Sequence, residues 1–142
     1  MDVQPERKGL KIGVKEGGGP PPGYQWNVDL LDQAVAEAMS FLTQEQYDHI
    51  ARQVRELARE NDPTRSATVD VRPIEGFYEI RDKGGVLKKI NVRVFFCLCR
   101  KTRTIAILGA INKKNDGATP QYVKILMEYR TRNYLNEHGN DK

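Results

Sequence analysis

The chain has 142 residues, of which 39% are hydrophobic, and it carries a formal net charge of +4 at pH 7. A chain of this length can bury one core, so we expect a single main domain. It has no apolar run of about 18 residues that would cross a membrane, and it begins without the apolar segment of a secretory signal. We therefore expect a soluble, cytoplasmic protein with no membrane partner.

The charged side chains are unevenly distributed along the chain. Residues 24–76 hold five basic and ten acidic side chains, whereas residues 77–142 hold fourteen basic and six acidic ones. The net charges of these parts are −5 and +8, and residues 1–23 add +1. Because a basic surface attracts polyanions, this polarity favours nucleic acid as a partner, although charges that only keep the protein soluble would give the same count.

The chain begins with a segment that has little to bury. Residues 1–23 contain three consecutive glycines followed by three prolines, a composition typical of a flexible arm. Residues 24–31 (YQWNVDLL) are rich in aromatic and branched side chains and predict a first strand. Asp32 is then expected to cap a short helix that runs through Phe41.

A second helix has the clearest local signals in the sequence. Thr43 and Gln46 form a capping-box pattern, and the helix is expected to end near Asn61 because Asp62 and Pro63 follow. Apolar side chains at helical spacing form its predicted inward stripe: Tyr47, Ile50, Ala51, Val54, Leu57 and Ala58.

Four β-type segments follow, at residues 69–74, 77–81, 90–98 and 104–111. Two adjacent glycines within residues 82–85 predict the turn of a hairpin between the second and third segments. In residues 90–98 every even position is apolar, which predicts a strand with one buried face. Residues 104–111 are apolar on both faces, which is typical of a central strand.

The predicted hairpin places two arginines on one face of the sheet. Arg81 and Arg93 occupy odd positions of their strands, as do the aromatic residues Phe77 and Phe95. We expect this face to be open. Two guanidinium groups beside two aromatic rings would then hold a phosphate and stack a base.

A last helix is predicted after a loop that contains Gly117. Thr119 is expected to be its cap, with Pro120 in the first turn. The predicted inward stripe consists of Tyr122, Val123, Leu126 and Met127. Lys124, Arg130 and Arg132 are expected to stay outside, and residues 136–142 are expected to form a flexible tail.

The order strand, helix, helix, strands, helix predicts an α+β domain over residues 24–135. We expect an antiparallel or mixed sheet of about four to five strands, two helices packed on one face, and a C-terminal helix. The other face of the sheet is expected to be open and basic.

The sequence predicts neither a metal site nor a cofactor. Its only cysteines, Cys97 and Cys99, share one face of a strand, where a mutual disulfide would be strained. A metal site built on them needs two more ligands, and the only histidines, His49 and His138, lie in a helical run and in the tail. Reduced thiols that are buried or half-buried are expected.

Three segments, occurring in this order, resemble the RelE/ParE toxin superfamily. They are GFYEIR at residues 76–81, VRVFF at residues 92–96, and ILGAINKK followed by ATP within residues 107–120. The branch that they resemble is the HigB-type, phage-derived one, over residues 24–135. The resemblance implies a RelE-like fold and a bacterial type II toxin that cuts messenger RNA, often on the ribosome, and is silenced by a cognate antitoxin.

Three features depart from the family's pattern. Ile111 stands where the family has an aromatic residue, just before the lysine pair Lys113 and Lys114. Met127 stands where an alanine is expected on the last helix. The Gly/Pro-rich arm has no counterpart. The partners implied are messenger RNA, the ribosome and an antitoxin, and both a homodimer and a toxin–antitoxin hetero-oligomer remain open.

By the same resemblance, four basic residues match the family's active-face positions: Arg81, Arg93, Lys113 and Lys114. Cleavage of RNA by its own 2′-hydroxyl requires in-line positioning, two proton shifts and neutralisation of charge on the phosphate. The arginines suit the last task, because a guanidinium pairs with two phosphate oxygens. The lysines would add charge or protonate the leaving oxygen, and Glu79 is a candidate base.

Residues expected to bind RNA around this centre are Lys88, Lys89, Asn91, Phe95 and Tyr122. Most have a simpler interpretation. Glu79 and Arg93 would form a cross-strand ion pair, Phe95 and Tyr122 would pack in the core, and the two lysines would be solvated on the hairpin.

Two other functions remain open at this stage. One is inhibition of DNA gyrase, as in the ParE branch of the family, and the other is RNA binding without catalysis. Cleavage of messenger RNA, loss of DNA supercoiling, and salt-dependent binding of single strands without cleavage are the observations that separate the three.

Overall fold

The computed structural model describes residues 19–139. Most of the predicted arm and residues 140–142 of the predicted tail lie outside the described residues. The strands are β1 (Asn27–Leu30), β2 (Val71–Pro73), β3 (Tyr78–Lys83), β4 (Asn91–Cys99) and β5 (Thr104–Asn112). The helices are α1 (Asp32–Met39), α2 (Gln44–Arg59) and α3 (Gln121–His138). None of the helices in this described range is long and apolar enough to span a membrane.

The five strands form one mixed sheet in the order β1-β5-β4-β3-β2. β1 pairs with β5 in parallel, and the other neighbouring strands are antiparallel. Two helices connect β1 to the rest, and the third helix follows β5. The predicted α+β class, the mixed sheet and the order of the elements are confirmed.

Helix α2 follows from local sequence signals. The Thr43 side chain accepts a hydrogen bond from the Gln46 backbone N–H, and the Gln46 side chain accepts one from the Thr43 backbone N–H, which completes the predicted capping box. The predicted apolar stripe of this helix is buried. The helix ends at Arg59, two residues before the predicted end, because Glu60 already has an extended backbone.

Helices cover both faces of the sheet, so the prediction of one open, basic face is wrong. The first core cluster, which includes Ile50, Val54 and Val94, lies on the face covered by α1 and α2. The second, which includes Phe95 and Met127, lies beneath α3 on the opposite face. The odd positions of β4 provided the missed signal, since Phe95, Cys97 and Cys99 are apolar enough to be buried under a helix.

Helix α3 is rotated relative to the predicted helix. Val123 and Met127 are buried as predicted, but Tyr122 and Leu126 are exposed, and Arg130 is nearly buried. The helix also runs to His138, three residues beyond the predicted end of the domain. Its cap is Pro120 rather than Thr119, whose side chain bonds elsewhere.

A glycine allows α3 to pack closely on β5. A Cβ atom at Gly109 would clash with the Met127 side chain and with the ion pair formed by Glu37 and Arg130. Gly109 lies opposite Phe95 at a register shift between β4 and β5. The missing side chain therefore determines how near the helix comes to the sheet.

The cysteines lie in β4 beneath α3. Cys97 and Cys99 are both free and buried, as predicted. Burial raises the pKa of the Cys97 thiol to about 12, and the neighbouring Cys99 adds to this effect. Among residues 19–139 no three His, Cys, Asp or Glu side chains are grouped closely enough to hold a metal ion.

Candidate nucleic-acid interface

The β3–β4 hairpin places Arg81 directly opposite Arg93. Opposed residues of an antiparallel pair project from the same face, about 4.5–5.5 Å apart at Cβ. The turn that sets this register is a short 3₁₀ segment, Gly85–Leu87, entered through Gly84 with φ +84°. The shared face of the two arginines therefore agrees with the predicted strand alternation.

A buried carboxylate lies near both arginines and offsets their like charges. Glu79 is fully buried, and its Oε2 accepts a hydrogen bond of 2.6 Å from Arg81 Nε. Its Oε1 accepts a hydrogen bond of 2.6 Å from the Thr119 hydroxyl. Because both oxygens are engaged away from solvent, Glu79 positions Arg81 rather than serving as an accessible base, and the expectation that it lies on an open face is wrong.

Thr119 connects this carboxylate to the second arginine. Arg93 Nη1 donates to Thr119 Oγ1 over 3.2 Å, while the same hydroxyl donates to Glu79. Thr119 is buried in the segment that leads into α3. The predicted direct ion pair between Glu79 and Arg93 is thus replaced by a bridge through a hydroxyl, and the direct pair is made by Arg81.

Arg93 is a buried cation with an unused donor. Its side chain is 1% exposed, and its Nε has no hydrogen-bond partner among the described residues. Burial lowers the pKa of Arg93, and the nearby Glu79 carboxylate opposes this shift. A buried donor without an acceptor costs free energy, so the fold keeps Arg93 in this position at some cost to its stability.

The two arginines line an open groove of about 510 Å³ at the edge of β3. Strand β2 pairs with Tyr78, Glu79 and Ile80, and the Arg81 N–H donates to the Asp70 carbonyl just before β2, so the last two residues of β3 have no neighbouring strand on this side. The groove is lined by four basic, three acidic and one amide side chain: Arg72, Arg81, Lys83, Arg93, Asp70, Asp82, Asp116 and Asn91. Its charge is therefore far more balanced than the predicted basic face.

Most cations of the groove already have carboxylate partners. Arg72 is paired with Asp70 at 2.9 Å, and Lys83 is paired with Asp116 at 2.7 Å. These pairs are substantially exposed, so each contributes little to folding stability. They leave Arg93 as the groove cation that has no direct ion pair among the described residues.

Asp116 is a carboxylate of the protein itself that lines the groove and pairs with one of its basic side chains. Lys83 donates to it, and Asn91 Nδ2 donates to its other oxygen over 3.2 Å. The Lys83 hydrogen bond and charge lower the pKa of Asp116, and Arg93 and Arg81 lower it further. The carboxylate therefore occupies part of the electrostatic site that a phosphate would use.

A second groove continues toward the start of α3. Arg72 and Arg81 line both grooves, and Lys124 and Thr119 lie on the far side of the second. Tyr122, in the first turn of α3, is 75% exposed, which overturns the interpretation that it packs in the core. An extended ligand bound at Arg81 would therefore have further contacts in this direction.

A hydrogen-bonded group behind the first groove was not predicted. Asp82 Oδ2 lies 2.7 Å from His49 Nε2 and accepts a bond of 2.6 Å from Gln53 Nε2. His49 and Gln53 belong to α2, so the group joins that helix to β3. Asp82 also lines the groove at the edge of the sheet, although its carboxylate bonds to α2, on the face opposite to that of Arg81.

The structure brings together only part of the predicted site. Arg81, Arg93 and Asn91 line the first groove, whereas Lys113 and Lys114 do not. Lys113 donates to Asn115 within the loop before α3. Lys88 and Lys89 are exposed just after the hairpin turn.

Phe95 does not lie on an open face. It is fully buried against Phe77, with ring centroids 6.2 Å apart in an edge-to-face arrangement. The expectation that it offers a ring for base stacking is wrong, because α3 covers this part of the sheet. Phe77 is buried for the same reason.

The predictions missed Arg72, Lys83, Asp82 and Thr119. Lys83 had a usable signal, since it lies two residues after Arg81 and therefore on the same face of β3. Arg72 belongs to a strand of three residues, whose pairing register no local pattern specifies. The role of Thr119 depends on contacts with Arg93 and Glu79, which precede it by 26 and 40 positions in the sequence.

No protein-family model matches the sequence, and no curated protein is significantly similar to it. Among solved structures, the chain is similar to a chain from the crystal structure of the RelBE2 toxin–antitoxin complex of Mycobacterium tuberculosis. The identity is 15%, the TM-score is 0.48, and the match covers 63% of this chain and 93% of the other. Similarity at this level assigns neither family nor function to this chain.

Proposed function

We propose that this chain is the toxin of a type II toxin–antitoxin pair, a cytoplasmic endonuclease that cuts messenger RNA at the groove between β3 and the loop before α3. The three family-like sequence segments support the class of protein. The observation that carries the site is a pair of arginines at an open groove: Arg81 is partly exposed and lines both grooves, and buried Arg93 lies directly opposite it.

A phosphodiester is the ligand whose chemistry fits these two arginines. Its unesterified oxygens accept hydrogen bonds from planar guanidinium groups; the partly exposed Arg81 is the donor that a ligand meets, and buried Arg93 adds positive charge behind it. Charge-assisted bonds of this kind are roughly twice as strong as neutral ones. Glu79 and Thr119 hold the guanidiniums in place before the ligand arrives, which reduces the entropy lost on binding.

The proposed reaction is attack by the ribose 2′-oxygen on the adjacent phosphorus. The bond from O2′ to phosphorus forms, the bond from phosphorus to O5′ breaks, and the products are a 2′,3′-cyclic phosphate and a 5′-hydroxyl. The proton of the 2′-hydroxyl passes to a base, and a proton is delivered to the leaving O5′. Arg81 and Arg93 stabilise the charge that develops on the phosphate.

Asp82 is our candidate base because Glu79 is inaccessible. Asp82 lines the groove at the edge of the sheet and its side chain is partly exposed, while His49 and Gln53 fix the orientation of its carboxylate on the α2 side. Lys113 and Lys114, on the loop beside the groove, are candidate donors to the leaving oxygen. Proton transfer by such groups typically contributes about 10²–10⁴ in rate, so phosphate positioning must supply much of the rest.

The flanking nucleotides would follow the second groove. Lys124 would meet a neighbouring phosphate, and exposed Tyr122 would stack on an unpaired base. Lys88 and Lys89 extend the positive surface on the hairpin side, which suits association with ribosomal RNA. An antitoxin that inhibits the enzyme would have to cover these cations.

The test is cleavage of a defined messenger RNA by the purified full chain, with and without ribosomes. We expect wild type to produce discrete cuts, and we expect Arg81→Gln and Arg93→Lys to reduce the rate at least about 100-fold, consistent with loss of one transition-state donor. Arg100→Gln is the matched control, since Arg100 is an exposed arginine outside the groove. Circular dichroism melting checks that each variant is folded.

Equal cutting by Arg81→Gln, Arg93→Lys and wild type would contradict the proposed site. An absence of cutting by wild type under both conditions would contradict the nuclease. The products provide a further check, because a 3′-phosphate or 2′,3′-cyclic end is expected and a 3′-hydroxyl end is not.

Burial of Glu79 favours a second candidate, an RNA-binding protein without catalysis. If no side chain of the groove removes the proton of the RNA 2′-hydroxyl, the same cations would still bind single-stranded RNA without cutting it. Its affinity should fall with salt at a log–log slope near −3 if about four phosphates are neutralised. Binding with this slope and no cleavage would select this function.

A further inference from the structure

The loop of residues 113–117 reaches from its own strand to the far side of the first groove. It follows β5, yet Asp116 pairs with Lys83, the last residue of β3, at 2.7 Å. The sheet order places β4 between these two strands. Because neighbouring strands lie about 4.8 Å apart, the loop spans roughly 10 Å to make this contact. It therefore crosses the start of β4 to the groove that Asp116 lines.

Polar contacts alone hold the loop in this position. Residues 114–118 are exposed, so none of their side chains packs in a core. Among the described residues, the hydrogen bonds that Asn115 and Asp116 make outside the loop are with Lys83 and Asn91. The Lys83 and Asp116 side chains are 61% and 69% exposed, and exposed pairs contribute little free energy. A competing anion can therefore displace them at low cost.

The same loop restrains one of the candidate proton donors. Lys113 Nζ donates to Asn115 Oδ1 over 2.6 Å, and Asn91 Nδ2 in turn donates to the Asn115 carbonyl over 3.1 Å. The Lys113 ammonium group is thus directed toward its own loop, and Lys113 is not among the described residues that line the groove. While the loop keeps these contacts, this lysine does not meet a ligand bound there.

We propose that the contact of Asp116 with Lys83 and Asn91 is autoinhibitory. In the free protein it holds the 113–117 loop at the groove, and a bound phosphodiester takes the place of the carboxylate and releases the loop. The inference rests on the proposed function, because it takes this groove as the site where the phosphate binds. It adds a conformational step, since Lys113 becomes free to approach the ligand only after a phosphate has entered.

The chemistry of the groove favours this exchange. Arg81 and Arg93 stabilise the Asp116 carboxylate through charge, but neither donates a hydrogen bond to it among the described residues. A phosphodiester carries the same charge and also bonds directly to the partly exposed Arg81. Because a guanidinium donates to two phosphate oxygens at once, the ligand gains a stronger contact than the lysine and amide contacts that it displaces.

The first test follows the loop of the full chain without any ligand. A nitroxide spin label on Lys114→Cys reports loop motion by electron paramagnetic resonance, and the native cysteines stay unlabelled because both are buried. We expect a restricted label. Adding Asp116→Asn should raise the ratio of mobile to restricted label about threefold to tenfold, as for loss of an exposed ion pair and one hydrogen bond. Asp32→Asn, at an exposed position of α1, is the matched control and should leave the ratio unchanged.

A second variant separates loop motion from affinity. Lys83→Gln removes the other partner of the contact, so it should mobilise the label as Asp116→Asn does. It also removes a cation of the groove, so binding of a short single-stranded DNA should weaken about threefold, whereas Asp116→Asn should strengthen it. The same effect on the loop with opposite effects on affinity is the result expected of an autoinhibitory contact.

The third measurement adds the ligand. Saturating single-stranded DNA, with binding verified by fluorescence anisotropy, should mobilise the label when Asp116 is present. In the Asp116→Asn variant the loop is already released, so the same DNA should change the label little.

The proposal fails if the label is equally restricted with Asp116 and with Asp116→Asn, and this result does not depend on whether the protein cuts RNA. It also fails if DNA binds and the label stays restricted. Release of the label by DNA, with messenger RNA left intact, would remove the nuclease and keep the autoinhibitory contact. If no variant binds DNA, both proposals are wrong. A melting curve verifies that each variant is folded.

Discussion

Glu37 of α1 and Arg130 of α3 form an ion pair at 2.9 Å, although their helices cover opposite faces of the sheet. They meet beside the part of β5 that lies beyond its pairing with β1, where β5 is paired with β4 on one side and has no neighbouring strand on the other. There Glu37 Oε1 accepts a bond from the Ala110 backbone N–H, and Arg130 Nη1 donates to the Leu108 carbonyl. Two side chains thus satisfy backbone groups that an adjacent strand would otherwise bond.

Replacing Arg130 should therefore destabilise the fold. Arg130→Met retains much of the apolar contact but leaves the Glu37 carboxylate and the Leu108 carbonyl without this partner. We expect the free energy of unfolding to fall by about 2–4 kcal/mol. Urea denaturation measures it. Arg132→Met, at an exposed position of the same helix, should change it by less than about 0.5 kcal/mol, and an equal loss in both variants would contradict this account.

The Thr119 hydroxyl should be essential to the positions of Glu79 and Arg93. Thr119→Val has nearly the same shape but no hydroxyl, so it leaves a buried carboxylate oxygen and a guanidinium nitrogen unsatisfied. We expect a loss of about 1–3 kcal/mol in the free energy of unfolding. Thr119→Ser should restore most of it. If the valine variant is as stable as wild type, the bridge has no energetic role.

Removing the charge of Asp116 should strengthen binding of nucleic acid. The carboxylate competes with phosphate for Lys83, Arg81 and Arg93, so Asp116→Asn should raise affinity by about threefold to tenfold, a change of roughly 1 kcal/mol. Fluorescence anisotropy with a labelled single-stranded DNA, which lacks the 2′-hydroxyl and is not cleaved, measures this. Asp32→Asn on α1 is the control.

The effect of Asp116→Asn should not depend on pH over the ordinary range. Lys83 holds the pKa of Asp116 below its usual 3.8, so the carboxylate stays ionised as the pH falls from about 8 to 5. The ratio of the two affinities should therefore be constant across that window. A ratio that shrinks by pH 5 would indicate that Asp116 gains a proton there and lies outside the field of the groove cations.

Neither cysteine should react in the folded protein. Burial raises the pKa of Cys97 to about 12, so at pH 8 almost none of it is the reactive thiolate. We expect no reaction of the native chain with a disulfide reagent at pH 8 and reaction of both thiols in urea. Because the pKa is raised only in the folded state, stability should also decline as the pH rises above about 9. Rapid native labelling of either thiol would show that α3 opens from the sheet.

Local sequence patterns predicted the structure correctly where it is formed by residues close together in the sequence. Thr43 and Gln46 cap α2 within four residues, and the alternation in β3 and β4 put Arg81 and Arg93 on one face. The hydrogen-bond geometry of these elements is set by their own backbone, so sequence periodicity reports it directly.

Sequence patterns failed where distant residues decide the structure. The rotation of α3 depends on Arg130 reaching Glu37, 93 positions away, which turns Tyr122 and Leu126 outward. Burial of Glu79 depends on Thr119, 40 positions away. These contacts join residues far apart in sequence, so the period of a helix or strand does not report them. Glu79 was therefore wrongly expected at the surface, and Tyr122 and Leu126 were wrongly expected in the interior.

If nucleic acid binds at this groove, as we propose, the shortness of β2 determines how it approaches the protein. Because the cations gather at the side of the sheet rather than across its flat surface, a polynucleotide must present its backbone edge-on and bend around the rim between the hairpin and the start of α3. A stiff double helix conforms poorly to such a corner. The protein would then prefer flexible single strands over duplexes because of the shape of its surface, independently of any contact with the bases.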